Sequence, residues 1–193
     1  MIARFRRIVG ERRYKRLFVI VAEGTVTERQ YFSLLNEHSI FQIKCLKSKN
    51  NLPPKDALKQ ITQYLKRENL LKRDQAWIVV DRDSWPEEHL NDLFNWSKTE
   101  SNFGFALSNP KFEYWLLLHF EDGDGVASCR ECDRRLLKYL PEYDKHLLPK
   151  HFTKPRIQDA LARAKKRDSP ACIDWPRSTG STVYRLVEEI LLR

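Results

Sequence analysis

Glycine is scarce in this chain, with six residues among 193, and no glycine-rich phosphate loop can be assembled from them. Gly24 stands alone after an apolar run, so a nucleotide P-loop is not supported. Long apolar runs are missing as well. No stretch approaches the ~20 residues that span a bilayer, and Met1-Ile2-Ala3-Arg4-Phe5-Arg6-Arg7 has no secretory apolar core; a cytoplasmic protein is expected. Cysteine is limited to four residues, which in a cytosolic chain do not predict disulfides. Cys129-Arg130-Glu131-Cys132 has the spacing of half a zinc site. No second pair has ligand spacing, and Cys45, Cys172, His146 and His151 would complete a site only if the fold delivered them. Two ordinary free thiols near a helix start is the favoured reading. There is no internal repeat and no low-complexity tract.

What is present is enough to fold. Hydrophobic residues make up 41% and charged residues 32%, with apolar runs throughout, and the length suits one core with at most a small appended lobe. The net charge is +9. Within residues 1–16, Arg4, Arg6, Arg7, Arg12, Arg13, Lys15 and Arg16 face only Glu11, so this arm carries +6 of that excess. A clustered basic arm suits a polyanionic partner such as nucleic acid; the plainer alternative is a solvated leader. The second basic stretch, 154–167, carries less weight. Leu161 and Ala164 fit a helical face there, which makes Arg163, Lys165, Lys166 and Arg167 that helix's wet side.

Apolar periodicity organises the remainder. Strand 17–23 leads into a helix opened by Thr25-Val26-Thr27-Glu28 and running to Asn36, with Tyr31, Phe32, Leu34 and Leu35 on its apolar side. A second strand is expected over 41–46. Pro53-Pro54-Lys55-Asp56 then starts a helix that shows Leu58, Ile61, Tyr64 and Leu65 on one face. Gln75 to Val80 is a near-continuous apolar run, as in a central parallel strand covered on both sides. A helix from Trp85 to Lys98 and a strand over 103–107 follow. This alternation predicts an α/β fold with a doubly wound, mostly parallel sheet. Residues 112–120 are too apolar for an exposed helix and should pack on the sheet. Beyond them, helical patterns at 132–140, 157–167 and 183–192, separated by prolines, predict a C-terminal helical cap. The expected divisions are an arm (1–16), an α/β core (17–120) and a helical region (121–193). Trp85, Trp96 and Trp175 look exposed and suit an interface as well as a core.

Two of the predicted strands end in carboxylates. The first runs into Glu23-Gly24 and the third into Asp81-Arg82-Asp83. Ligands of α/β proteins bind outside the carboxyl ends of parallel strands, so three carboxylates are collected at the edge where chemistry is usually done. Asp81 and Asp83, two apart on extended backbone, project to the same side. At ~4 Å and an effective dielectric of about 20 their repulsion costs roughly 4 kcal/mol, which a divalent cation offsets. The hard oxygen donors suit Mg²⁺ or Mn²⁺. The structural alternatives are a capping or turn role for Asp83 and a strand-end role for Asp81 tied to backbone amides.

The run Val19-Ile20-Val21-Ala22-Glu23-Gly24 followed by Asp81-Arg82-Asp83 resembles the Toprim fold of topoisomerases, primases and OLD-type nucleases. More specifically, Glu23-Gly24-x-x-Thr27-Glu28-x-x-Tyr31-Phe32, Asp81-x-Asp83 and Ser108-Asn109-Pro110-x-Phe112-Glu113-x-Trp115 together resemble the RloB/AbiL-type family of bacterial defence proteins. The resemblance spans nearly the whole chain, to Ser181-Thr182-Val183-Tyr184-x-Leu186-Val187. It implies that Glu23 is a general acid/base or metal ligand and that Asp81 and Asp83 hold Mg²⁺. Glu113 is a candidate fourth catalytic carboxylate: it follows a strand end at the start of an apolar helix, with a capping role towards Ser108 or Asn109 as the alternative. Gly24, Glu28 and Asn109 are supporting residues, Glu28 equally a first-turn residue and Asn109 equally a turn residue. His119, in an apolar helix, reads as a satisfied core histidine rather than a ligand. Trp175-Pro176-Arg177 departs from the Asn-Pro-Ser-like turn expected in relatives.

The resemblance implies a metal-dependent nuclease acting as the effector of an anti-phage, abortive-infection system with an ATPase partner, acting on DNA or RNA, tRNA included. The basic arm, through Arg4, Arg6, Arg7, Arg12 and Arg13, is the expected nucleic-acid contact. A non-catalytic binding module on the same scaffold is the second reading, and a primase-like nucleotidyl transferase the third.

Overall fold

The computed structural model describes residues 15–36, 41–47, 52–82 and 85–191. Five strands form one sheet: β1 (Leu17–Ala22), β2 (Gln42–Cys45), β3 (Gln75–Asp81), β4 (Phe103–Asn109) and β5 (Gly180–Ser181). Their order is β2-β1-β3-β4-β5. The first four are parallel, and β5 runs antiparallel to β4. Helices α1 (Thr27–Asn36), α2 (Pro54–Arg67) and α3 (Glu87–Ser97) alternate with the parallel strands. They are followed by α4 (Phe112–Leu117), α5 (Cys129–Tyr139), α6 (Lys154–Arg167) and α7 (Val183–Leu191).

Strand alternation builds two cores, one on each face. Phe18, Ile20, Ala22, Trp77, Val79 and Ala106 face α1 and the helices from α4 onward. Val19, Val21, Ala76, Ile78, Val80, Phe105 and Leu107 face α2 and α3. Burial on both faces explains why β1 and β3 read as continuous apolar runs. From β1 the chain passes outward to β2 and then crosses over to β3 on the other side, so β1 and β3 are neighbours whose connections diverge. That pair is the topological switch point of the sheet.

The predicted α/β sheet and its order of elements are those observed, with differences in detail. β4 continues to Asn109, so Ser108 and Asn109 belong to the strand rather than to the loop after it. The apolar stretch at 112–120 is helical only to Leu117, although every residue from Phe112 to His119 is buried. Strand β5 has no sequence signal, because two residues are too few to show alternation. Trp175, for which the sequence leaves interface and core both open, belongs to the core: it is wholly buried and packs edge-on against Phe94 and Phe105. Trp96 lies half-buried, stacked on Phe103 at 4.7 Å. Cys129 is the exposed first residue of α5, and Cys132, one turn on, is buried in the core.

Candidate active site at the carboxyl edge

Glu23 follows β1 and is pinned through its backbone. Its N–H donates to the Val79 carbonyl at 3.0 Å, and its carbonyl accepts from Leu52 N–H at 3.3 Å. Its carboxylate accepts from the Asp81 N–H at 3.0 Å and from the Trp85 indole Nε1 at 3.3 and 3.4 Å. Asp81 closes β3, opposite Ser108 of β4, and its own carboxylate accepts from the backbone N–H of Phe112. Glu28, in the first turn of α1, folds back to accept from Gly24 N–H at 3.2 Å, satisfying a donor ahead of the helix. A side chain at position 24 would displace the Glu28 carboxylate, since a Cβ there would lie 2.1 Å from one of its oxygens.

These groups interact strongly. Burial raises the Asp81 pKa well above the ordinary aspartate range, and the neighbouring charges of Glu28, Glu23 and Glu113 raise it further. Glu28 is pushed up mainly by burial, with Glu113 adding to it. Glu113 moves the other way. Burial alone would raise it, but the hydrogen bond from Lys145 and the charges of Lys111 and Lys145 outweigh burial and hold it low.

Glu113, only 5% exposed, is the hub of a second layer. Its Oε1 accepts from Lys145 Nζ at 2.6 Å and from the Tyr143 hydroxyl at 3.0 Å. Lys111 Nζ stands 3.9 Å from its other oxygen. The Tyr143 hydroxyl, whose proton goes to Glu113, accepts from Thr27 Oγ1 at 3.0 Å. The Lys145 carbonyl lies 3.2 Å from the same Thr27 Oγ1. Among the described residues Lys145 is the one non-glycine with a positive φ, +82°, a conformation an L-residue keeps only when its surroundings hold it there.

Glu23, Gly24, Glu28, Asp81 and Glu113 are therefore brought together. Asp83, and Arg4, Arg6, Arg7, Arg12 and Arg13, lie outside the described residues. Asn109 ends β4 and donates from Nδ2 to the Pro176 carbonyl at 3.2 Å, so it orders the segment that carries Trp175. The capping alternative for Glu113 is not realised: the Ser108 hydroxyl pairs with that of Ser181 at 2.8 Å, and Asn109 faces Pro176. His119 is a core residue, as expected. Its Nδ1 lies 3.0 Å from the Trp115 carbonyl, which can only accept, so Nδ1 carries the proton and Nε2 accepts from the Tyr31 hydroxyl at 3.1 Å. Sequence reasoning missed Trp85 as a donor to Glu23, and Thr27, Lys111, Tyr143 and Lys145. Lys111 lies inside the Ser108–Glu113 motif, which was the available signal; Tyr143 and Lys145 sit in an irregular segment with none.

The donor set fits a hard divalent cation in kind. Glu23, Glu28 and Asp81 supply carboxylate oxygens in a crowded, largely buried space, where burial first and then neighbouring carboxylates raise the proton affinity of Asp81 and Glu28, and a cation offsets such repulsion. Among the described residues no three Asp, Glu, His or Cys side chains form a ready-made ligand group. Glu113 is turned to Lys145, while Glu23 engages Trp85 and the Asp81 amide.

A family model described as RloB-like protein matches residues 18–190, from the second residue of β1 into α7. The chain belongs to the RloB-like protein family. No curated protein and no solved structure matches this RloB-like chain. The family's match takes in every described residue of the carboxylate edge, with the Lys111, Tyr143 and Lys145 layer. Among the described residues of this RloB-like protein no helix is long and apolar enough to cross a membrane.

Proposed function

We propose that this chain is a metal-dependent nuclease of Toprim type that cleaves nucleic-acid phosphodiesters. The observation that supports this reading best is the meeting of Glu23, Glu28, Asp81 and Glu113 at the switch point between β1 and β3, with Asp81 carrying the raised proton affinity of a crowded acidic site. Asp81 and Glu23, with Asp83, would hold Mg²⁺ or Mn²⁺. When bound, the ion supplies Lewis-acid stabilisation of charge on phosphoryl oxygens. The chain's own residues do the rest. Asp81 N–H and Trp85 Nε1 fix the Glu23 carboxylate, Glu28 holds the Gly24 turn, and the Lys145–Tyr143–Lys111 set keeps Glu113 ionised. The resemblance to defence proteins extends the proposal to an abortive-infection effector working in the cytoplasm with an ATPase partner.

Calorimetric titration of Mn²⁺ and Mg²⁺ into the wild type, Asp81→Asn and Glu23→Gln tests the site without requiring the natural substrate. Binding by the wild type and its loss in both variants is expected, followed by cleavage within a panel of plasmid, single strands and tRNA. Absence of both metal binding and cleavage would leave the second reading, a binding module. That reading is favoured by the intramolecular commitment of Glu113 to Lys145, which occupies one of the candidate catalytic carboxylates.

A further inference from the structure

Four carboxylates at one edge repel a polyanion, so a site that takes nucleic acid needs a cation that reaches solvent. Two lysines stand on Glu113, and they differ. Lys111 is 18% exposed and committed to Asp133, with Nζ 2.6 Å from a carboxylate oxygen. Lys145 is 60% exposed although its partner is 5% exposed, so its ammonium sits at the mouth of the site with Glu113 behind it.

The segment around Lys145 is built to hold it there. Its carbonyl and the Tyr143 hydroxyl both meet Thr27 Oγ1 of α1, and Leu147 N–H donates to Gln30 Oε1 of the same helix at 2.7 Å. Two ties to α1 thus bracket the residue whose φ is +82°. Strain kept under such ties marks a position where side-chain direction matters. Glu113 can also release Lys145 without being stranded, since Tyr143 still donates to it at 3.0 Å and Lys111 remains 3.9 Å away.

We propose that Lys145 is a phosphate-binding residue, exchanging Glu113 for a backbone phosphate of the nucleic acid that enters the carboxylate edge. The inference rests on the nucleic-acid reading above.

The test is fluorescence anisotropy with a labelled single-stranded oligonucleotide, as DNA and as RNA, in EDTA with KCl varied. Each phosphate contact contributes about 0.7 to the slope of log K against log salt for a single strand, so Lys145→Met should lower the slope by about 0.7 and weaken binding about five-fold at ~0.1 M salt. Lys145→Arg should retain the slope. Glu113→Gln, which frees Lys145 and keeps the acceptor for Tyr143, should tighten binding. An unchanged slope in Lys145→Met, with the wild type binding, would overturn this inference alone and identify Lys145 as a structural ion pair. Failure of the wild type to bind either oligonucleotide would overturn the nucleic-acid reading and this inference with it. Binding with the expected slopes but no cleavage in Mg²⁺ would leave Lys145 in its role and remove the nuclease.

Discussion

Asp81 is a structural liability at the edge proposed for metal binding. Its folded pKa is raised by burial and by Glu28, Glu23 and Glu113, so the folded chain binds a proton that the unfolded chain has lost. Stability therefore falls as pH rises from the ordinary aspartate range through the raised value, and the full penalty is present above it. Asp81→Asn removes the penalty while keeping an acceptor for Phe112. In EDTA at about pH 8 it should stabilise the protein by about 1–3 kcal/mol, a Tm rise of about 2–4 °C per kcal/mol for a chain of this size. The gain should vanish near pH 4. Thermal melts with and without Mn²⁺ check both halves of the argument: the metal should raise the Tm of the wild type and leave that of Asp81→Asn unmoved. A stabilised but inactive variant is the signature of a group retained for chemistry rather than for folding.

At the scale of elements, two contacts carry more than their size. The buried pair Tyr31–His119 ties α1 to the turn after α4, and burial lowers the His119 pKa to about 3. Unfolded histidine takes up a proton near pH 6.5 and the folded one does not, so this group withdraws stability as pH falls, at up to about 1.4 kcal/mol per pH unit. Asp81 and Glu28 act in the opposite sense. The comparison to make is urea unfolding of the wild type against His119→Asn between about pH 7 and 5, where the variant should lose less stability on acidification. The second contact is Thr182, whose Oγ1 accepts from Leu107 N–H at 2.9 Å while its own N–H donates to the Leu107 carbonyl at 2.9 Å. Thr182→Val leaves the Leu107 donor buried and unpaired, at a cost of about 1–3 kcal/mol read from the urea midpoint. The sequence marked His119 as a satisfied core histidine but did not reveal Tyr31 as its partner, nor the pairing of Thr182 with Leu107. The strands and helices were legible, because burial on two faces writes continuous apolar runs into β1 and β3 and amphipathic spacing into α1 and α2. The carboxylates Glu23 and Asp81 were found for the same reason, since each ends such a run. Lys145 and Tyr143 escaped because they come from an irregular segment whose position depends on contacts with α1 more than 100 residues earlier. Whether Trp175 belongs to an interface or the core stayed open because nothing in its local sequence records that Phe94 and Phe105 leave a space for it.

For the whole molecule the governing quantity is the distribution of charge. The arm at 1–16 holds +6 of a net +9, while the site at the other end of β1 is acidic. Replacing Arg4, Arg6, Arg7, Arg12 and Arg13 by Gln should weaken oligonucleotide binding at least ten-fold at ~0.1 M salt and flatten its salt dependence, whereas Asp81→Asn should bind as well as the wild type. Anisotropy titrations on the two variants separate grip from chemistry. The foot of the arm is fixed: Arg16 donates to the Arg73 carbonyl at 2.8 Å and to a Glu189 carboxylate oxygen at 3.0 Å, immediately before β1 begins. The carboxylates stand immediately after it ends. Six residues of strand at ~3.3 Å each make roughly 20 Å between the two, the length of about six nucleotides at ~3.4 Å apiece. On the proposed nucleic-acid reading, β1 would act as a ruler, and a strand touching both its ends would need a minimum length set by the protein's own backbone.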